Sequence, residues 1–490
     1  MSDGSVLTVD VGGTNLRAGL LDRSGHTLAV HAVASPRPTG SAGAAELDPE
    51  SWWHGFLSCA EHLAAAAPSV FEAVQAVAIT GMTRTQVFLG PDGNVVRPAM
   101  TWADTRAADL VPELLGAVPT DHPERGQINA YHPLARLAWL HRHEPEMAKS
   151  LAAVVEPKDF LALCLSGEAA TDSISAARLV ASAAAASGGS LIERAGLTVA
   201  LPRLLEPLAI VGAVRAGLPG ALASLARRPV TMLANDTWCA VLGLGALREG
   251  LAYTISGTTE VLGLLSARAA VADGLVSVAW GSLHHLGGPS QNGADAVAWA
   301  LGLLGREGAT PDALLEHRGD PQPLLFLPYL NGERVPYWDP ALRGALVGLN
   351  RRHGPGDIVR AVLEGVAFQN RLVLERAEIA VDAQAREIRF GGGGAASRAW
   401  AQIKADVTNR PVVTTQFPEP GLAGAALAAW TALGAYPDLE AAQDTSVPNE
   451  RFEPDPARTR HYDALYRLFR QAEEAVRPIT AALAQMVDPP

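Results

Sequence analysis

The segment DVGGTNLRAG, Asp10 to Gly19, puts a carboxylate, two glycines, a hydroxyl and a cation within eight residues. Gly12 and Gly13 let the backbone turn tightly after a strand, which leaves amides and the Thr14 hydroxyl open to phosphate oxygens. Asp10, at the strand end, could hold Mg2+ through water, because that ion takes few carboxylates and keeps its waters. Arg17 could reach phosphate as a charged fork. The same residues also describe an ordinary hairpin turn with an incidental carboxylate. ISGTTE, Ile255 to Glu260, repeats the device with Gly257 and Thr258. Alone it is the weaker signal; together the two turns point to a cleft between similar halves with a nucleotide bridging them. FGGGGAASRAW, Phe390 to Trp400, follows a strand and opens a helix. Gly391, Gly392, Gly393 and Gly394 permit close approach to a flat or anionic ligand, and a helix amino terminus favours negative charge. Gly391, Gly393 and Ala396 also fit a loose dinucleotide fingerprint, but that turn belongs on an early strand, so a nucleoside-binding loop or plain tight packing are the better readings.

Two further segments carry polar chemistry. LANDTWCAVLGLG, Leu233 to Gly245, places Asp236 where a strand meets a helix. By pattern alone an N-cap is the first reading; the alternative is a general base that takes a proton from a substrate hydroxyl. Asn235 can share the capping and leave Asp236 freer. TWADTRA, Thr101 to Ala107, offers Trp102 to stack on a polyol or sugar and Asp104 to accept its hydroxyl protons, or else a core tryptophan and a capping aspartate. Arg84, Gln86 and Tyr131 are additional polar candidates.

Several chemistries are excluded by what the chain lacks. Its lysines are Lys149, Lys158 and Lys404, none preceded by glycine, so no Walker A loop exists; HExxH and GxSxG are likewise missing. Adjacent His284 and His285 point to opposite faces in a strand, which makes them structural or solvent-facing. Cys59, Cys164 and Cys239 are too few and too scattered for a disulfide framework or a zinc site.

The elements that must position these residues alternate between strand and helix patterns, which is an α/β chain. Strands are expected at 6–11, 27–32, 74–80, 230–233, 251–255, 387–390 and 412–415, with helices at 52–66, 236–245, 357–378 and 397–408. The Ala-rich run 181–186, before Ser187, Gly188 and Gly189, reads as a helix and its end. TVDVGGTN and YTISGTTE form a weak internal repeat, and Leu247 to Gly250 is the expected boundary. The expected domains are 1–248, 249–440 and a helical tail, 441–490, packed on the body through Tyr462, Leu465, Tyr466, Leu468 and Phe469. With 490 residues, 39 Lys and Arg against 51 Asp and Glu, and a net charge of -12, the chain has ample core and no broad attraction for nucleic acid or acidic membrane. The amino terminus lacks a signal-peptide pattern and no run of about 18 apolar residues occurs, so a soluble, cytoplasmic protein is expected.

The order of DVGGTNLRAG, TWADTRA, PKDFLALCLSGEAATD, ANDTWCAVLGLGAL, YTISGTTE, LPYLNGERVPYWDP, RGALVGLNRRHGPGDIVRAVLEGVAFQNR and FGGGGAASRAWAQIKADVTNRPV resembles the FGGY carbohydrate kinases over residues 6 to 435. The stretch 344–364 resembles the family's carboxy-terminal signature. The resemblance implies an actin/hexokinase-like (ribonuclease H-like) fold, with two duplicated domains flanking a cleft, sugar on the first and ATP with Mg2+ mainly on the second. It implies Asp236 as catalytic base and Asp10 beside the metal. It places Gly12, Gly13, Thr14, Asn15 and Arg17 in the first phosphate loop, Gly257 and Thr258 in the second, and Gly393, Gly394 and Ser397 around adenosine. Arg84, Trp102, Asp104, Tyr131 and Thr237 then fall at or beside the substrate pocket. Several positions depart from the family, Thr237 and Trp238 after Asp236 among them. Arg136 stands where its amino-terminal signature has lysine, and Thr83 and Arg84 replace the Met-His pair of xylulose kinases and the Arg-Glu pair of glycerol kinases. A small sugar or polyol is the expected substrate, a ketopentose such as xylulose first, with gluconate, glycerol or erythritol as alternatives. A homodimer is left open. The rival of another class is a nucleotide-binding scaffold on the same fold.

Overall fold

Both compact units of this computed structural model, which describes residues 4–41, 43–185, 189–315, 322–446 and 448–487, are built on a mixed β-sheet. In the first unit Ser5–Val11 (β1) is buried at nearly every position, as a strand covered on both faces must be. It pairs antiparallel with Asn15–Leu21 (β2), which pairs antiparallel with Thr27–Ala34 (β3). On its other side β1 runs parallel to Val74–Gly81 (β4). Ile210–Ala213 (β5) and Pro229–Met232 (β6) complete the order β5-β6-β4-β1-β2-β3. The helix Glu50–Ala66 covers this sheet with Trp52, Phe56, Cys59, Ala60 and Leu63, the spacing of one apolar face. A smaller sheet made of 46–47, 95–100, 86–89 and 153–155 shares a second core with the helix Pro133–His143, through Phe88, Met100, Leu134 and Leu137.

The second unit has the same plan. Leu251–Ser256 (β7) pairs antiparallel with Glu260–Ser266 (β8), and Val276–Trp280 (β9) and Leu283–Ser290 (β10) extend that side. Glu387–Gly391 (β11) and Val412–Thr415 (β12) run parallel on the other side, and Pro448–Phe452 (β13) closes the edge antiparallel, giving β9-β10-β8-β7-β11-β12-β13. A meander followed by two parallel strands and an antiparallel edge describes both sheets. β1 and β7 occupy the same place in them, which is where the sequence repeat lies.

The chain divides differently from the contiguous segments expected above. Contacts group 1–243 with 421–445 and 244–420 with 446–490. The reason is the helix Pro420–Ala432: a Cβ on Gly424 would lie 1.7 Å from the Cys239 carbonyl oxygen, so this helix and Asp236–Gly243 meet backbone to backbone. Trp430 Nε1 donates to the Asp22 carbonyl at 3.0 Å and fixes the other end. The expected tail is therefore split. Leu439–Gln443 belongs to the first unit, while β13 and the helix Pro456–Val487 belong to the second, with Tyr462, Tyr466 and Phe469 around Phe368. Leu468 of the same run faces outward. The Ala-rich helix is present as Ala177–Ala183; residues 186–188 lie outside those described. His285 is structural, stacked on Trp280 and bonded through Nδ1 to the Tyr253 hydroxyl. The three cysteines are free thiols. Among the described residues no helix is long and apolar enough to cross a membrane.

Candidate functional site

In the first unit the β1–β2 ladder sets Asp10 opposite Arg17 and closes through the Gly12 amide to the Asn15 carbonyl, 3.1 Å. Gly13 and Thr14 are exposed at the tip. Both glycines are required by space: a Cβ on Gly12 would lie 2.7 Å from the Asn15 oxygen, and one on Gly13 would lie 2.9 Å from Trp102 Nε1. The indole of Trp102 thus packs against the turn, and its own amide donates to Thr85 Oγ1 at 3.0 Å.

Asp236 is the first residue of its helix, but it is not the cap. Asn235 Oδ1 accepts from the Trp238 amide at 2.9 Å. Asp236 Oδ1 accepts from the Thr237 amide and hydroxyl at 2.6 and 3.1 Å, and Oδ2 has no hydrogen-bond partner among the described residues. Burial outweighs these bonds and pushes the carboxyl up to about 6. The loop before it is pinned by Thr80 Oγ1, which donates to the Ala234 carbonyl at 2.9 Å. The Met82 amide joins the ends of β4 and β1 through the Val11 carbonyl.

The other polar candidates of this unit differ in what they can do. Arg84 sits at a φ of 58°, a left-handed conformation that a side chain seldom adopts. Tyr131 is half-buried just ahead of the helix Pro133–His143, and the Thr237 hydroxyl is spent on Asp236. Asp104 was expected to accept substrate protons. It is fully buried, and its oxygens already accept from the Arg106 guanidinium at 2.7 to 3.0 Å and from the Ala45 amide at 2.9 Å. It braces the loop that carries Trp102. Gln86 is buried, and its Oε1 has no hydrogen-bond partner among the described residues.

In the second unit the turn between β7 and β8 closes through the Gly257 amide to the Thr259 carbonyl at 2.9 Å, with Gly257 and Thr258 exposed. The three glycines after β11 separate into two kinds. A Cβ on Gly392, whose φ is 80°, would lie 2.6 Å from the Ser256 oxygen, and one on Gly394 would lie 2.7 Å from the Trp400 ring; these two press the loop onto the β7 end. A Cβ on Gly393 would meet no described residue within 4 Å, so the space on that side of the loop is open. Ser397 caps the helix Arg398–Thr408, accepting from the Trp400 amide at 3.1 Å and keeping its hydroxyl proton to donate. Exposed, rigid amides of this kind fit a nucleotide. Among the described residues no group of three or more His, Cys, Asp or Glu side chains could hold a metal ion. A lone carboxylate such as Asp10 fits an ion that is otherwise held by water and phosphate.

One support escaped the sequence reading. Lys404, fully buried, bonds Glu260 Oε1 at 2.5 Å and also Asn370, tying the second turn to two helices. The available signal was a lysine four residues after Trp400 on an otherwise apolar helix face.

Residues 5–243 match the N-terminal domain, and residues 252–433 the C-terminal domain, of the FGGY family of carbohydrate kinases. The chain is 28% identical to xylulose kinase of Escherichia coli strain K12 over 422 residues, 82% of this chain and 84% of that protein. It is 29% identical to glycerol kinase of Aromatoleum aromaticum over 501 residues, 97% and 99% of the two chains. The crystal structure of xylulose kinase from Rhodospirillum rubrum matches with a TM-score of 0.83 at 28% identity, covering 97% of this chain and 99% of that one. The fold is the actin/hexokinase-like one.

Proposed function

The chain belongs to the FGGY family of carbohydrate kinases, and from that premise we propose that it transfers the terminal phosphoryl group of ATP to a primary hydroxyl of a small sugar or polyol, a ketopentose such as xylulose first among them. The observation that carries this reading is Asp236: Asn235 does the capping, Thr237 holds Oδ1, and Oδ2 is left to take a proton. As the acceptor oxygen bonds to phosphorus and the bond to ADP breaks, the hydroxyl proton passes to Oδ2. Arg84, Trp102 and Tyr131 orient the acceptor, with Asp104 and Thr237 behind them. The amides of Gly13, Thr14 and Thr258 and the hydroxyls of Thr14 and Thr258, with Arg17, hold phosphate oxygens, while Gly12, Asn15 and Gly257 close the turns that present them, and Gly393, Gly394 and Ser397 hold the nucleoside. Asp10 would hold Mg2+ through water, and the ion when bound neutralises phosphate charge.

A coupled ADP-release screen across ketopentoses, polyols, aldonates and glycerol tests the proposal. Turnover of one of these, lost in Asp236→Ala with ATP binding retained, is the expected result. ATP binding with turnover of none would favour a nucleotide-binding scaffold.

A further inference from the structure

Arg136 is fully buried, and no carboxylate lies within ion-pair distance of it among the described residues. A guanidinium buried without an ion-pair partner is costly, so its environment must stand in for water. Here backbone carbonyls do so at the two terminal nitrogens, and the carboxyl groups of Asp104 and Glu156 favour the charge from farther away. Nη1 donates to the carbonyls of Arg84 and Met100 at 2.5 and 3.3 Å, and Nη2 to those of Thr101 and Asp104 at 2.6 and 3.1 Å. Nε is buried with no hydrogen-bond partner among the described residues.

Those four carbonyls come from two separate segments, one at Arg84 and one running from the strand end at Met100 into the loop to Asp104, and these segments carry Arg84, Trp102 and Asp104. The contact at Arg84 falls on the residue whose φ is 58°, a conformation that must be held by its surroundings. Two forked nitrogens on a rigid plane can hold two chain segments in fixed register, which a lysine ammonium cannot do with the same geometry. Helix Pro133–His143 supplies the base of this fork, anchored by Leu134, Leu137 and Leu140 in the core.

We propose that Arg136 is a positioning residue for acceptor selection: its buried guanidinium fixes the two loops that present Arg84 and Trp102, and so decides which hydroxyl compound is held for phosphorylation. This rests on the carbohydrate-kinase reading above and extends it to a residue that touches neither substrate.

The test compares wild type, Arg136→Lys and Arg136→Gln with the best acceptor of the screen. Arg136→Gln is expected to raise the acceptor KM ~10-fold or more while the ATP KM stays within about twofold, and Arg136→Lys, which keeps charge and length, is expected to recover part of that loss. Hydrogen exchange should quicken in peptides spanning 84–89 and 100–106 and stay unchanged in peptides spanning 251–266. Acceptor and ATP KM rising together, or both variants matching wild type, would overturn the proposal. If Arg136→Gln does not fold, Arg136→Lys decides on the same split between the two KM values. If the wild type phosphorylates no acceptor, the kinase reading fails, and exchange in the two loops still decides whether Arg136 holds them.

Discussion

A carboxylate that begins a helix without capping it has an oxygen to spare, and Asp236 is in that position because Asn235 takes the cap. Its burial sets a pH dependence. With the carboxyl at about 6, the base is protonated and idle below that value, so kcat/KM should climb as pH rises through 6 and level off above 7. Asp236→Asn should lower kcat by ~100-fold or more with acceptor KM little changed, because it removes the proton acceptor and keeps the shape. A stability consequence has the opposite sign. The folded protein binds this proton more tightly than the unfolded chain does, so the group's contribution to stability declines as pH rises from the ordinary carboxylate range through about 6. Asp236→Asn should therefore melt no lower than wild type at pH 8. An inactive variant that also melts well below wild type there would mean the side chain is structural. Arg84 and Asp104 are the contrasting cases: sequence placed both at the acceptor, and the structure shows one in a held backbone conformation and the other with its oxygens already occupied.

Turns and buried helices decide the next scale. Gly392 and Gly393 are neighbours with different constraints, and alanine separates them. Gly392→Ala, at φ 80° with a Cβ 2.6 Å from the Ser256 oxygen, should destabilise the protein by about 1–3 kcal/mol. Gly393→Ala points into open space, so its melting temperature should hold while the ATP KM rises. Thermal melts together with ADP-release kinetics check the pair, and an unaltered ATP KM in Gly393→Ala would remove that loop from the nucleotide site. Beneath the first unit's sheet Lys158 is buried between Asp159 at 2.5 Å and Asp172 at 2.7 Å, in the helix Pro157–Ser166 that packs on β4. Removing one member of such a cluster leaves the others uncompensated. Lys158→Met should cost about 3–5 kcal/mol by urea unfolding, and the loss should shrink at acid pH as the two carboxylates take up protons.

At the scale of the whole molecule the chain is a duplication whose units are interleaved: the segment 421–445 returns to the first unit. Gly424 is where that return is decided, since no Cβ fits between it and the Cys239 carbonyl. Gly424→Ala should lower stability by about 3 kcal/mol, read as a fall in the thermal midpoint; an unchanged midpoint would show that the helix can shift without loss. What the sequence determined by itself was local or periodic. Strands β1 and β7 with their glycine turns, the parallel strands, the long helices and the position of Asp236 all follow from patterns a few residues long, because backbone conformation and binary burial are set locally. What tertiary structure decided was partnership: which of Asn235 and Asp236 caps the helix, which glycine faces packed backbone and which faces open space, that Asp104 is spoken for by Arg106, and that Arg136 grips four carbonyls. The physical reason is that a hydrogen bond or a missing Cβ is fixed by where the opposing atom lies, and packing sets that place: from tens or hundreds of positions away for Arg136, Gly392 and Gly424, and even for neighbours such as Asn235 and Trp238 or Asp104 and Arg106.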